Sequence, residues 1–439
     1  MTQDIIIGRS EPELKKYGKE ATIFIGKQYV KMGEVTSLAN NVYLDVNGAH
    51  TILVSGKKGS GKSFSLGVIA EEVSDLPKDI KDRLSVLIFD TMGIFWTMKY
   101  PNQKEEDLLK KWGISPKGLN VDIYTPKGYF NDYRQKGIPA DFSFALKPSE
   151  LTAGDWCNVF SVDINSPIGV LIERVIQDLM ENLKDYSMDD IISRTQSDKR
   201  SEQNVRDATE NRFRAALTWG LFDKESVPIK NIVGKGKVSI IDISCYKEGT
   251  GSWGIKSLVI GLICKKLLEE RMTSRKEEEL SDIQTRSRLF EEEKKLDMPL
   301  VWVLIDEAHE FLPKEGKTPA TDTLVQLIRE GRQPGISMVL ATQQPGEIHK
   351  DVITQADIVL SHRLTAKPDI DALNSMMQSY LITDLQKSLN NLPRLAGSAI
   401  LLDDNSERLY PVRIRPRFTW HGGEAPHAIA PKKEFGFEK

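Results

Sequence analysis

The stretch Gly56-Lys57-Lys58-Gly59-Ser60-Gly61-Lys62-Ser63 fits the pattern G-x-x-x-x-G-K-[ST], and just before it stands the apolar run Thr51-Ile52-Leu53-Val54. A buried strand that runs into a glycine-rich turn and then into a helix-forming stretch, here 64–73, lets several backbone N–H groups point inward at phosphate oxygens. Glycine permits the tight path. In that setting Lys62 is expected to reach the β and γ phosphates of a nucleotide and the Ser63 hydroxyl to sit on Mg²⁺. The expected nucleotide-binding set is Gly56, Gly59, Ser60, Gly61, Lys62, Ser63 and Phe64. A glycine-rich turn that binds nothing is the competing reading, and the flanking strand and helix count against it.

Far along the chain, Val301-Trp302-Val303-Leu304-Ile305-Asp306-Glu307 is a second apolar strand, and this one ends in two acids. Alone, such a pair often only caps a following helix. Beside a phosphate loop it acquires a role: Asp306 is expected to hold the metal through its water shell, and Glu307 to polarise the attacking water. The two stretches together predict hydrolysis of ATP or GTP, with ATP and Mg²⁺ the expected pair.

The bulk properties narrow the class. A length of 439 residues exceeds one average domain, and 40% hydrophobic with 28% charged residues describes an ordinary globular protein. A net charge of −3 supplies no global basic field, so attraction to nucleic acid would rest on local lysines and arginines. Cys157, Cys245 and Cys264 form no C-x-x-C pair, and His309 stands beside Glu310 without an H-E-x-x-H pattern. No basic start followed by an apolar run opens the chain, and the most apolar window, 258–268, is short and interrupted by Lys265-Lys266. A cytoplasmic protein without a membrane partner is expected.

The order of elements predicts a parallel α/β sheet. Residues 1–48 carry β-like pieces at 21–25 and 41–46 with turns at Gly26, Gly33 and Asn40-Asn41, read as a short β-rich lid. Residues 49–101 run strand, loop, helix and a second strand, Ser85-Val86-Leu87-Ile88-Phe89-Asp90, the start of such a sheet. Residues 102–235 read as a mostly helical insertion. There Ser166-Pro167 starts a helix whose apolar stripe is Val170, Leu171, Val175, Leu179 and Leu183. A second helix near 202–222 carries Arg206, Arg212 and Arg214, more readily solvated surface than a ligand grip. The core resumes over 236–416. It holds a strand at 238–243, a helix burying Ile255, Leu258, Val259, Leu262 and Leu267, and strands at 337–341, 358–360, 398–402 and 409–414. The charged stretch 269–297 reads as a helical extension or connector, and 417–439 as a tail outside the core.

Asp306-Glu307-Ala308-His309 spells the acid motif of DEAH-box helicases, but no second α/β lobe and no Q-R-x-G-R-x-G-R motif follows. The chain instead resembles the HerA-like branch of the HerA/FtsK superfamily of hexameric translocases. The resemblance rests on 56–63, on Phe89-Asp90-Thr91-Met92-Gly93, on 238–244 and on Ile305-Asp306-Glu307-Ala308-His309. It is completed by Arg329-Glu330-Gly331-Arg332-Gln333-Pro334-Gly335 and Val339-Leu340-Ala341-Thr342-Gln343-Gln344-Pro345. It implies a P-loop RecA-like (ASCE) fold, with a mostly parallel sheet, a helical insertion and a short N-terminal β segment. It also implies a homo-oligomeric ring, a hexamer, in which Gln343 senses the γ-phosphate and Arg332, with Arg329 as second choice, acts across the subunit boundary. A surface arginine favoured by a helix dipole is the plainer reading of Arg332, and a strand cap that of Gln343. Members of the branch usually carry a β-barrel ahead of the phosphate loop, so with only residues 1–48 there the barrel is expected to be reduced or absent.

The resemblance further implies a duplex DNA translocase working with a nuclease or another DNA-processing partner. Grip on DNA is mainly neutralisation of phosphate charge, so Lys314, Lys317 and Lys350 are the loop candidates, each of which also reads as plain solvent surface. Nothing in the sequence suggests base reading, and sequence-independent binding of double-stranded DNA is expected. The alternatives are a ring ATPase that moves or remodels protein, and a scaffold whose assembly is set by nucleotide.

Overall fold

The computed structural model describes residues 4–32, 35–183, 185–247, 252–286, 298–376, 388–389 and 391–423. Thirteen strands of these residues join one sheet: β1 (Ile5–Ile7), β2 (Thr22–Met32), β3 (Val35–Asp45), β4 (Thr51–Ser55), β5 (Leu84–Asp90), β6 (Asp122–Pro126), β7 (Phe142–Phe144), β8 (Val238–Asp242), β9 (Leu300–Ile305), β10 (Ile336–Thr342), β11 (Ile358–His362), β12 (Ser398–Asp403) and β13 (Arg408–Ile414). Their order is β1-β3-β2-β13-β12-β11-β4-β10-β9-β5-β8-β6-β7. From β11 to β7 every neighbouring pair is parallel, and from β11 out to β3 every pair is antiparallel. The fold is therefore α/β with a mostly parallel sheet, as the sequence predicts.

The central strands are apolar without alternation because both faces are covered; β5 and β10 are buried at all of their positions. On one face the helix Lys62–Ser74 packs Leu66, Ile69 and Val73 against Ile52, Val86 and Leu304. On the other, the helices Ala153–Val159, Pro167–Asn182, Gln203–Leu217 and Ser252–Arg286 share a larger core. Trp156 is fully buried there, with its ring edge-on to Phe213 at 5.1 Å.

Several expectations need correction. The stretch 102–235 supplies β6 and β7, which carry the sheet on past β8, as well as its helices. In the helix Pro167–Asn182 the Ser166 hydroxyl accepts the Gly169 N–H at 3.1 Å. Leu171, Val175 and Leu179 are buried, whereas Val170 and Leu183 are exposed. One residue turns about 100° around a helix, which takes Val170 off the face of Leu171. Leu183 follows the last turn on extended backbone. The 1–48 segment is no separate lid: β2 pairs with β13 and extends the sheet. Gly26 lies inside β2, where a Cβ would stand 2.2 Å from the Arg413 carbonyl oxygen, and Asn40-Asn41 lie inside β3. Gly33 falls outside the described residues, as do 287–297 and 424–439. Residues 417–419 are buried against the core and do not trail from it.

Register fixes what shares an edge. Ser55 of β4 lies level with Thr342 of β10 and Ser361 of β11, and Leu340 of β10 with Ile305 of β9. The chain segments that leave the carboxyl ends of β4, β10 and β9 therefore emerge together, with β10 in the middle.

Candidate active site

The loop between β4 and the helix Lys62–Ser74 depends on glycine at two points. Gly61 caps the helix at φ 114°, in the left-handed region where a side chain is strained. A Cβ on Gly56 would stand 2.4 Å from Ser60 Oγ and 2.7 Å from His362 Cβ. The result is a partly buried helix N-terminus that opens on a glycine-lined approach, a natural seat for an anion. His362, at the end of β11, is fully buried against this loop, 2.9 Å from Ser65 Oγ and 3.2 Å from the Ser398 carbonyl oxygen. Burial pushes its imidazole down to about 4, so the ring stays neutral.

Five side chains converge here. Lys62 Nζ donates to the Lys57 carbonyl at 3.3 Å; burial pulls its ammonium below the usual lysine range, and Glu307 and Asp306 pull it back up. Ser63 Oγ donates to the Asp306 carboxylate, which also accepts the Glu307 N–H at 2.9 Å. Burial raises the Asp306 carboxyl, and the Ser63 hydrogen bond opposes that rise. Glu307 sits at φ 53°, a conformation that costs a residue with a side chain roughly 1–3 kcal/mol. The turn follows directly on β9, and Gln343 Nε2 donates to Glu307 Oε1 across it. Glu307 Oε2 is buried with no hydrogen-bond partner, His309 Nδ1 standing 3.7 Å away, a costly state unless another group comes to it. The oxygen set suits Mg²⁺, which takes one or two protein oxygens and fills its remaining positions with phosphate and water. The Ser63 hydroxyl and Asp306 carboxylate are the two oxygens on hand.

The other residues singled out from the sequence lie elsewhere. Arg332 precedes β10, so the seven residues of that strand put it roughly 20 Å from the cluster at about 3.3 Å per residue. Its guanidinium meets Asp357 Oδ2 at 2.7 Å and the Ala49 carbonyl at 3.2 Å, with the side chain 69% exposed. Arg329 pairs with Asp351 at 2.7 Å. Lys314 and Lys350 are exposed and flank the bridge between Pro313 and Ile348, where the Lys314 N–H donates to Glu347 at 2.8 Å. Lys317 is spent on an exposed pair with Asp322 at 2.8 Å. Arg206, Arg212 and Arg214 are each taken up by neighbours in their own helix region.

Sequence reasoning assigned no role to several groups that shape the site. Asp90 accepts the backbone N–H groups of Met92, Gly93, Ile94 and Phe95 at 2.7–3.2 Å, folding the chain so that Met92 and Ile94 line the cleft. Burial, with Asp242 beside it, pushes its carboxyl up to about 7. Lys256, buried next to this pair, donates to the Thr91 carbonyl at 3.0 Å. The cleft has a volume of about 660 Å³, the size of a small-molecule site, and reaches from Gln343 and Glu307 past Phe64 to His421 and Gly423. One signal was available: Glu71 interrupts the apolar run 66–73, and a carboxylate there needs a buried partner.

A family model described as the central domain of helicase HerA matches residues 30–267, more than half of the chain. The chain belongs to the HerA family. It is 23% identical over 400 residues to the DNA double-strand break repair helicase HerA of Saccharolobus solfataricus, across 89% of this chain and 68% of that protein. With the helicase of the same name from Sulfurisphaera tokodaii it shares 23% over 348 residues, 78% of this chain and 59% of that one. The HerA-like chain thus spans about two thirds or less of the length of these relatives. In three dimensions it is similar to VirB4 of Thermoanaerobacter pseudethanolicus, with a TM-score of 0.57 at 12% identity, over 95% of this chain and 99% of that one. That likeness is one of fold. Among the described residues no helix is long and apolar enough to cross a membrane.

Proposed function

We propose that this HerA-family chain is an ATP-hydrolysing subunit of a homo-oligomeric ring, a hexamer, that moves double-stranded DNA without regard to sequence and works with a nuclease or other DNA-processing protein. The observation that carries the reading is the convergence of Lys62, Ser63, Asp306, Glu307 and Gln343 at one helix N-terminus. Lys62 is placed by this reading on the β and γ phosphates. Ser63 and Asp306 would hold Mg²⁺, which when bound neutralises charge between those phosphates. Glu307 orients and polarises the attacking water, with Oε2, which has no hydrogen-bond partner, as the acceptor. Gln343, hydrogen-bonded to Glu307, links the γ-phosphate position to β10.

Arg332 is the proposed trans-acting guanidinium, with Arg329 in reserve. Its distance from its own cluster, at the opposite end of β10, supports a role toward a neighbouring copy and not within the chain. Lys314 and Lys350, exposed on the two sides of one bridge, are the proposed contacts to DNA phosphate, while the ion pair of Lys317 makes it the weakest of the three. The test is the ATPase rate with and without linear duplex DNA over a salt series. Stimulation severalfold at low salt that fades as salt rises is expected of phosphate tracking. A rate indifferent to DNA at every salt concentration rejects the DNA reading and favours a ring that acts on protein.

A further inference from the structure

We infer that the cleft ends in a nucleobase subsite whose wall is the strap 415–423, and that Glu71 is the residue that positions this wall. The inference rests on the nucleotide reading of the cleft and goes beyond it, since the phosphate loop says nothing about what holds the base.

The strap is pinned on two sides. From the helix Lys62–Ser74, fully buried Glu71 accepts hydrogen bonds from Arg415 at 2.8 Å, from Arg417 Nε at 3.1 Å, from the Phe418 and Thr419 N–H groups at 3.1 and 3.0 Å, and from the Thr419 hydroxyl. Glu71 thus meets five donors, two of them guanidinium, and Glu72 Oε1, 2.9 Å from Arg415 Nε, supplies the second negative charge. Gly67 makes room for this arrangement: a Cβ there would stand 2.5 Å from the Arg417 guanidinium. From the other side, the Asn102 N–H donates to the Phe418 carbonyl at 2.9 Å, Asn102 Nδ2 to the Arg417 carbonyl at 2.9 Å, and the Trp420 N–H to the Tyr100 carbonyl at 2.7 Å.

Held in this way, the strap presents its end to the cleft. His421 stands edge-on to Phe64, ring centroids 5.5 Å apart, and Phe64 directly follows the phosphate-loop residues Lys62 and Ser63. Ile94, which lies against Gly422 and Gly423, also lines the cleft, as do Trp112 and Pro416. A triphosphate seated on the loop with its γ end toward Glu307 and Gln343 has its nucleoside end directed away from them, into this aromatic and aliphatic slot. A flat heteroaromatic base fits such walls by stacking and edge contacts. Glu71 touches no ligand itself. It acts through the strap.

Two probes separate the base from the phosphates: Mg-ATP and inorganic tripolyphosphate with Mg²⁺, each titrated against the full chain. In His421→Ala the ATP affinity is expected to fall about tenfold with tripolyphosphate affinity unchanged. Glu71→Gln is expected to give the same split, whereas a merely structural loss in the helix behind the phosphate loop would weaken both probes alike. Unchanged ATP affinity in both His421→Ala and Phe64→Ala overturns the subsite, and those two variants decide the matter if Glu71→Gln does not fold. Failure of the underlying nucleotide reading looks different: Lys62→Ala would then leave the binding of both probes untouched.

Discussion

At the scale of single residues, the site is defined by strain and by an unmet oxygen. Glu307 is held at φ 53° two residues past the end of β9, and one of its buried carboxylate oxygens has no hydrogen-bond partner. The hydrogen bond from Gln343 restrains the other oxygen, so the glutamate's direction depends on the end of β10. If Gln343 works by holding Glu307 and meeting the γ-phosphate, Gln343→Ala should lower kcat ten- to a hundredfold and shift ATP affinity by less than about threefold. Steady-state kinetics with parallel binding measurements check this; an unchanged kcat would mean that the amide only caps the strand. Lys62, Ser63, Asp306 and Glu307 were legible in the sequence because each belongs to a short pattern with a local backbone reason. His362 was not, and Glu71 showed only as an acid within the apolar run 66–73, with nothing to mark its partners. Each has its meaning from a contact across roughly three hundred residues, His362 with Gly56 and Ser65, Glu71 with Arg415 and Arg417. No local periodicity records such a contact.

At the scale of elements, the starts of β4 and β11 and the end of β3 are tied through one buried histidine. His50 lies between Asp357 Oδ2 at 2.8 Å and Asp45 Oδ2 at 3.2 Å, and Asp45 is bound in turn to Arg9. Burial pulls the imidazole down, but the two carboxylates outweigh it and raise it from the ordinary 6.5 to about 9. A pKa raised on folding gives stability that is fully present below about 6.5 and is lost as pH rises through about 9. The protein should therefore lose on the order of 2–3 kcal/mol between pH 6.5 and 9.5 from this group. Urea denaturation across that range checks it: His50→Gln should be less stable at pH 6.5 and lack this part of the pH slope. An identical slope in the variant would contradict the assignment. The long apolar strands β5, β9 and β10 could be read from the chain because burial on both faces leaves an uninterrupted hydrophobic run. β6 and β7, five and three residues long, could not: they are too short for a pattern, and only pairing with β8 makes them strands. The part of the strap from Arg417 onward reads as a tail for a related reason, since that arginine looks solvated until Glu71 is placed beneath it.

At the scale of the whole molecule, the sheet has a polarity that suits a ring. The phosphate loop, Asp306, Glu307 and Gln343 occupy the carboxyl edge, and Arg332 the amino end of β10, clasped by Asp357. A ring built head to tail joins unlike surfaces of successive copies, which is how a guanidinium remote from its own site could complete a neighbour's. All of it depends on the carboxyl-edge cluster hydrolysing ATP, with Glu307 as the group that acts on water. The most direct test is Glu307→Gln, with ATP affinity and turnover measured on the same protein. The account predicts affinity within a few-fold of the parent and turnover at least a hundredfold lower. Turnover within twofold of the parent, with ATP still bound, would contradict it.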